Sequence, residues 1–200
     1  MAHHIYTTPA FILESWPGKE ADKFCALFTE ELGLIRASAK GVRLQKSKLR
    51  YSLQDLSFSV VSVVRGKEFW RITNARQIDG LYDRYSGDKS IVYSIARIFR
   101  LLSRLIPEEE KNPELFADLN AAFDFLSAAA EEHSFSRSEI LAFEYIVVLH
   151  ILERLGYLEK VATLERFVRA EWSLELLAEL EAHKKQAIEA INVSIRNSHL

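Results

Sequence analysis

The sequence from Arg36 to Arg50 holds six cations, Arg36, Lys40, Arg43, Lys46, Lys48 and Arg50, and no Asp or Glu. Arg65 and Lys67 flank a glycine further on, and Arg71 follows Phe69 and Trp70. Lys, Arg and backbone donors are what phosphate oxygens require, and exposed aromatic faces are what unpaired bases stack on. Tyr51, Phe58 and Phe69 are the candidate stacking residues. The chemistry on offer is charge neutralisation and stacking, which is binding rather than bond-making. A plainer reading stands beside it. Phe is among the most buried residue types, so most aromatics of a small barrel belong to its core. The basic block fits a solvated face equally well, or one turned to the acidic C-terminal half.

Catalytic constellations are not visible. The six histidines, His3, His4, His133, His150, His183 and His199, are scattered. His150 and Glu153 have a helical spacing that can bind metal, but no second pair accompanies them, so a partly buried or surface histidine is expected. Cys25 lies in an alternating apolar run and is expected as a small buried hydrophobe rather than a reactive thiol. No Gly-x-x-x-x-Gly-Lys loop occurs among the 7 glycines. Glu108-Glu109-Glu110 falls between helices and is expected as a solvated loop. Neither an enzyme nor a cofactor is expected.

With 200 residues and 23.0 kDa, the chain fits one large domain or two small ones. Hydrophobic residues at 48% and charged residues at 27% argue for a globular chain. The apolar stretch Ile146 to Leu152 is too short for a bilayer, which takes about 20 residues, so an integral membrane protein is not expected. The N-terminus shows no signal-peptide pattern. A single cysteine excludes an intramolecular disulfide and a multi-thiolate zinc site, and a reducing cytoplasm is the default. The net charge of −2 conceals an asymmetry: residues 36–76 carry 10 Lys and Arg against 2 Asp and Glu, while 77–200 carry 14 against 21. A basic block on a near-neutral chain is an electrostatic footprint for phosphates.

The elements that must position these cations change in texture near residue 80. Ala10 to Trp16 ends at a Pro17-Gly18 turn. Phe24, Ala26 and Phe28 alternate with Cys25, Leu27 and Thr29, as in a half-buried strand. Beyond Gly33, Leu34 to Lys40 alternates as well, with Ile35, Ala37 and Ala39 on one side and Arg36, Ser38 and Lys40 on the other. Arg43 to Gln54 fits a short helix or ordered loop. Leu56 to Val64 is a strand, Arg65-Gly66-Lys67 a tight turn, and Phe69 to Ala75 the last strand. Three strands, a short helix and two strands is the order of a five-stranded OB-type barrel. The expected fold class is therefore α+β: an OB-type barrel over 1–80, then an all-α domain over 81–200. Helices are expected over Lys89 to Ile106, after Asn112-Pro113, after the capping box Ser136 to Glu139 up to Gly156, and from Ser173 onward. The last has Leu176, Leu177, Leu180, Ile188, Ile191 and Ile195 as its apolar face.

Several separated blocks carry a resemblance. They are Tyr6-Thr7-Thr8-Pro9-Ala10-Phe11-Ile12-Leu13, Gly18-Lys19-Glu20-Ala21-Asp22-Lys23, Leu27 through Ala37, Ala39-Lys40-Gly41-Val42-Arg43, Lys46-Ser47-Lys48-Leu49-Arg50 and Leu53-Gln54. In this order they resemble the N-terminal domain of the RecO family, bacterial recombination mediators and DNA repair proteins. Lys40-Gly41-x-Arg43 followed by Lys46 to Arg50 is the most telling part. The resemblance is dense over residues 5–80 and thinner over 88–160, where Leu152-Glu153-Arg154-Leu155-Gly156-Tyr157 looks like the family's last segment before a zinc module.

The resemblance implies an OB domain followed by helices, with no catalysis and no nucleotide cofactor. It implies binding of single- and double-stranded DNA, annealing of complementary strands, and loading of RecA with RecR, and in some routes RecF, onto DNA coated by single-strand-binding protein. A bacterial cytoplasmic, nucleoid-associated location follows. The DNA-binding role passes to Arg36, Lys40, Arg43, Lys46, Lys48 and Arg50, which match the family pattern. Arg65, Lys67 and Arg71 rest on charge alone, and Tyr51 and Phe69 on stacking. Leu158 to Trp172 contains no Cys or His, so the zinc module is expected to be absent or replaced by metal-free packing in a reduced C-terminal lobe. The acidic helical half would stay off the DNA and offer apolar grooves to partners. Two other readings stay open: an adaptor whose basic face meets an acidic protein, RecR first among candidates, and an RNA-binding OB protein.

Overall fold

The computed structural model describes residues 4–159 and 161–198; His3 and His199 lie outside them. Period-two alternation builds the first part. The strands are β1 (Ile5–Pro17), β2 (Lys23–Thr29), β3 (Gly33–Ala39), β4 (Ser57–Arg65) and β5 (Trp70–Gly80), with the short helix α1 (Leu49–Ser52) between β3 and β4. They close into a barrel in the order β1-β2-β3-β5-β4. Closure comes from a short parallel pairing, Ala37 opposite Trp70 and Ser38 opposite Arg71. All other pairs are antiparallel. The five-stranded OB-type barrel and the element order match the expectation. Two strands are longer than expected: β1 starts at Ile5 rather than Ala10, and β5 runs to Gly80 rather than Ala75. The added residues are polar or half-exposed, so hydrophobicity did not mark them, but they pair with β4 along their length.

Alternate residues point inward and form the barrel core: Ala10, Ile12, Cys25, Leu27, Ile35, Ala37, Ala39, Val61, Val63, Trp70 and Ile72, with Val42 and Leu53 from the β3–β4 connection. The Cys25 thiol is 0% exposed, and burial pushes its pKa up to about 12. It is an inert part of the core. The opposite faces of β1, β2 and β4 are apolar too. Phe11 stands across from Phe28 and Phe58; it stacks on Phe58 at 4.7 Å and meets Phe99 edge-on at 5.8 Å. Phe99 belongs to helix α3 (Lys89–Leu105), which therefore lies against the barrel. Strand β2 is buried on both faces from Cys25 to Thr29, where alternation alone implied one.

The chain divides into two compact units, residues 1–113 and 114–200. The first holds the barrel, the one-turn helix α2 (Leu81–Tyr85) and α3, whose N-cap Asp88 accepts from the Ser90 and Ile91 amides. The second holds α4 (Pro113–Glu132, which begins on the boundary residue), α5 (Arg137–Arg154), α6 (Glu165–Arg169) and α7 (Leu174–Asn197). The capping box at Ser136 and Glu139 forms in both directions. Helix α5 is buried nearly all round and packs on α7. The buried stripe of α7 is Leu176, Leu177, Leu180, Ala187, Ile191 and Ser194. Ile188 and Ile195 are only half-buried. Ala187 and Ser194 take the buried positions instead, keeping the three-and-four spacing of a helix face. In the segment 158–172, Leu164 and Phe167 are each 1% exposed and fill the interior.

Candidate nucleic-acid interface

The connection from β3 to α1 is a chain of turns, and backbone hydrogen bonds fix its shape. Leu44 N–H donates to Gly41 O (3.1 Å), Ser47 N–H to Leu44 O (3.0 Å) and Arg50 N–H to Ser47 O (3.4 Å). Its root is tied to the β1–β2 connection: Gly41 N–H donates to Asp22 Oδ1 at 2.7 Å, and Arg43 N–H donates to Ala21 O at 2.9 Å. Gly41 has φ of +63°, a left-handed turn that favours glycine. The sequence blocks around Asp22 and Lys40-Gly41 therefore belong to one structural feature. Apolar Val42 and Leu53 anchor the loop in the core, and the cations between them face solvent.

Lys40, Arg43, Lys46, Lys48 and Arg50 are all exposed. Among the described residues none of the five has a carboxylate partner; Arg43 donates from Nη1 to Glu20 O at 3.2 Å. Lys67, in the turn between β4 and β5, and Arg71, on β5, are likewise exposed and unpaired among the described residues.

Arg36 and Arg65 differ. The acidic run expected as a solvated loop is strapped onto the barrel. Glu109 N–H donates to Leu34 O at 2.8 Å, and Leu34 and Glu108 form a parallel bridge. Gly33, with φ of +69°, lets the strap approach: a Cβ there would lie 2.0 Å from Glu110 O. Glu108 takes the Arg36 guanidinium at 2.5 Å, and Glu109 takes that of Arg65. The Trp70 indole N–H also donates to Glu109, at 3.2 Å. The Arg65 hydrogen bond holds the Glu109 carboxyl below its usual range, with burial opposing and Trp70 assisting. Each guanidinium also lies over an indole, Arg36 over Trp16 at 5.7 Å and Arg65 over Trp70 at 5.1 Å.

Of the aromatics, Tyr51 is 68% and Phe69 43% exposed. They stand at opposite ends of β5: Phe69 precedes its first residue, whereas Tyr51 lies in α1, whose Ser52 Oγ accepts from Gln77 N–H at 3.3 Å. Phe58 is spent on Phe11. The sequence reading missed Trp16 and Phe24, which pair across β1 and β2 and stack at 6.0 Å and 13°. Phe69 meets Phe24 edge-on at 5.2 Å, so Trp16, Phe24 and Phe69 form an aromatic row across the barrel. A signal was available: Trp16 and Phe24 bracket the Pro17-Gly18 turn, as cross-strand partners on one face would.

In the second unit, His150 and Glu153 do not converge. His150 Nε2 meets Phe167 O at 3.1 Å, Nδ1 faces Asp118 at 3.4 Å, and the ring stacks on Trp172. Glu153 instead lies 3.8 Å from Arg154. Among the described residues no helix is long and apolar enough to cross a membrane.

Comparison with known proteins agrees with this geometry. The family model for the N-terminal domain of recombination protein O matches residues 1–81, and that for its C-terminal domain matches residues 88–158. The DNA repair protein RecO of Clostridium novyi is 33% identical over 153 residues, 76% of this chain and 57% of that protein. Its counterpart in Dehalococcoides mccartyi (strain ATCC BAA-2266) is 33% identical over 156 residues, 77% of this chain and 57% of that protein. That of Heliobacterium modesticaldum is 29% identical over 153 residues, 76% and 52%. The matches thus span a little over half the length of these relatives. With the barrel, the turn-built basic loop and both models in agreement, the chain belongs to the RecO family of DNA repair proteins.

Proposed function

We propose that this chain is a DNA-binding recombination mediator rather than an enzyme. It binds single-stranded DNA through the 40–50 loop and the adjoining barrel face, binds duplex through the same cations, and anneals complementary strands. The observation that carries this reading is the set Lys40, Arg43, Lys46, Lys48 and Arg50, held on a loop of fixed shape with no carboxylate partner among the described residues. Such cations neutralise phosphates and release counterions. Lys67 and Arg71 extend the positive surface, and Arg36 and Arg65 join it once Glu108 and Glu109 let go. Phe69 and Tyr51 supply exposed rings. Annealing follows from screening the repulsion between two strands held on one surface.

In this reading the chain works in the bacterial cytoplasm, at the nucleoid. RecR, and in some routes RecF, act with it to place RecA on strands covered by single-strand-binding protein. An annealing assay with two complementary fluorescent oligonucleotides tests the proposal: the protein accelerates duplex formation. An unchanged rate at protein concentrations that coat the strands contradicts it.

One observation favours a second reading. Arg36 and Arg65 already bind carboxylates, so the same face suits an acidic protein segment, with RecR as the candidate. Capture of RecR without measurable affinity for DNA decides for this adaptor role. Competition between matched DNA and RNA oligonucleotides separates either from an RNA-binding role.

A further inference from the structure

At the end of the barrel beneath the basic loop is a cleft of about 460 Å³, lined by Ser15, Trp16, Pro17, Lys23, Val42, Arg43, Arg50 and Gln54. Its volume falls within the roughly 300–1,000 Å³ of small-ligand clefts. Its chemistry is uneven. The three charged groups in the lining are all cations. Lys23 is already engaged, by Leu53 O at 3.0 Å and by Asp55, just outside the lining, at 3.4 Å. Asp55 also accepts from Ser15 Oγ. Arg43 gives one nitrogen to Glu20 O and keeps the rest of its fork. Arg50 has no side-chain partner among the described residues. Two guanidinium groups with unspent donors on one cleft are suited to a phosphate, which they grip with paired hydrogen bonds. The remaining lining is flat or apolar, Trp16, Pro17 and Val42, apart from Ser15, whose hydroxyl is spent on Asp55, and Gln54, whose amide offers a donor and an acceptor. Trp16 is half-exposed; its ring meets the stacked Phe24 and, at 5.7 Å, the Arg36 guanidinium.

We propose that this cleft is a mononucleotide subsite for single-stranded DNA, with the phosphate between Arg43 and Arg50 and the base against Pro17 and the part of Trp16 that Phe24 and Arg36 leave open. It rests on the DNA-binding reading and deepens it. The other loop cations grip a passing backbone anywhere along it, whereas this cleft seats one nucleotide in a defined place. Binding then has a fixed register on the protein, and one base is withheld from its stack. Gln54 contacts the edge of that base.

The test is intrinsic tryptophan fluorescence during titration with oligothymidylate of about ten nucleotides, within the span one OB fold covers. Anisotropy of the same oligonucleotide is recorded in parallel. The wild-type protein is quenched at saturation. Trp16→Phe loses most of that quench and Trp70→Phe keeps it. Arg43→Gln with Arg50→Gln lowers affinity by about tenfold or more, as loss of charge-assisted hydrogen bonds requires, and removes the quench even at saturation. Lys46→Gln with Lys48→Gln, the same change in charge, lowers affinity but leaves the quench at saturation intact. Equal quenching in wild type and Trp16→Phe, or identical behaviour of the two double variants, overturns the subsite while leaving DNA binding in place. Absence of any anisotropy change with the wild type overturns both. Circular dichroism of each variant confirms folding, and the Arg variants decide the matter if Trp16→Phe does not fold.

Discussion

Glu109 closes on Arg65 at the end of the barrel and in doing so holds two groups at once, the guanidinium and the Trp70 indole N–H. Glu108, one residue earlier, takes the Arg36 guanidinium. In the proposed DNA-binding reading, phosphate oxygens would take the places of these carboxylates, and the strap and a strand would compete for the same two cations. Glu108→Gln with Glu109→Gln frees both. We expect tighter binding of single-stranded DNA and a salt dependence steeper by about 1.4 in log–log slope, from roughly 0.7 per added phosphate contact. An unchanged slope, measured by anisotropy across several salt concentrations, means that Arg36 and Arg65 are structural.

The loop cations should dominate affinity. Charge reversal of Lys46, Lys48 and Arg50 together removes three contacts from exposed side chains that no core residue depends on. A gel shift should show a loss of well over an order of magnitude, since several phosphate contacts together account for changes of about 10³ or more with salt. The thermal transition should move little, because substitutions on an open surface typically shift stability by within about 0.5 kcal/mol each. Affinity within about twofold of wild type would falsify the assignment of the loop as the DNA contact.

Gly33 is the position where backbone geometry most limits the sequence. Gly33→Ala places a Cβ 2.0 Å from Glu110 O and imposes a left-handed φ that costs an L-residue about 1–2 kcal/mol before the clash is counted. We expect destabilisation of more than about 2 kcal/mol in denaturant unfolding, together with release of the strap. A neutral result would show that the strap yields easily, and would weaken the competition described above.

Asp118 makes the second unit sensitive to acid. Burial works to raise its pKa, but hydrogen bonds from His150 and Arg154 outweigh that and leave it lowered; Arg154 Nε reaches it at 2.6 Å. A carboxylate with a depressed folded-state pKa contributes stability that is fully present above its unfolded value and is lost as pH falls through the folded one. Asp118→Asn should cost on the order of 2 kcal/mol at neutral pH, the scale of hydrogen bonds to a charged group, and flatten the acid limb of the stability curve. Parallel acid limbs for wild type and variant would remove Asp118 from this role.

The barrel was legible because alternation states its inner face directly: Ile35, Ala37 and Ala39 are each 0% exposed, as their spacing requires. The cations of the loop were legible as a run without acids. What stayed hidden depends on distant pairing. The outer face of β1 is covered by α3 through Phe11 and Phe99, which no local pattern reveals. Glu108 and Glu109 look solvated in sequence, and only the fold carries them back to Arg36 and Arg65. Trp16 owes its place in the cleft to Phe24 across a turn and to a loop that begins after β3. The α7 stripe settles on Ala187 and Ser194, small residues that carry no hydrophobic mark by which to choose them over Ile188 and Ile195.

The central claim is that free cations on the 40–50 loop and the adjoining barrel edge bind a DNA strand by neutralising phosphates. Fluorescence anisotropy of a labelled single strand of about 30 nucleotides, titrated at several salt concentrations, tests it directly. With about four to six phosphates neutralised, log K against log salt should slope by roughly −3 to −4, from about −0.7 per contact. No binding at low salt, or a slope shallower than about −1, contradicts the claim and leaves the basic face to a protein partner.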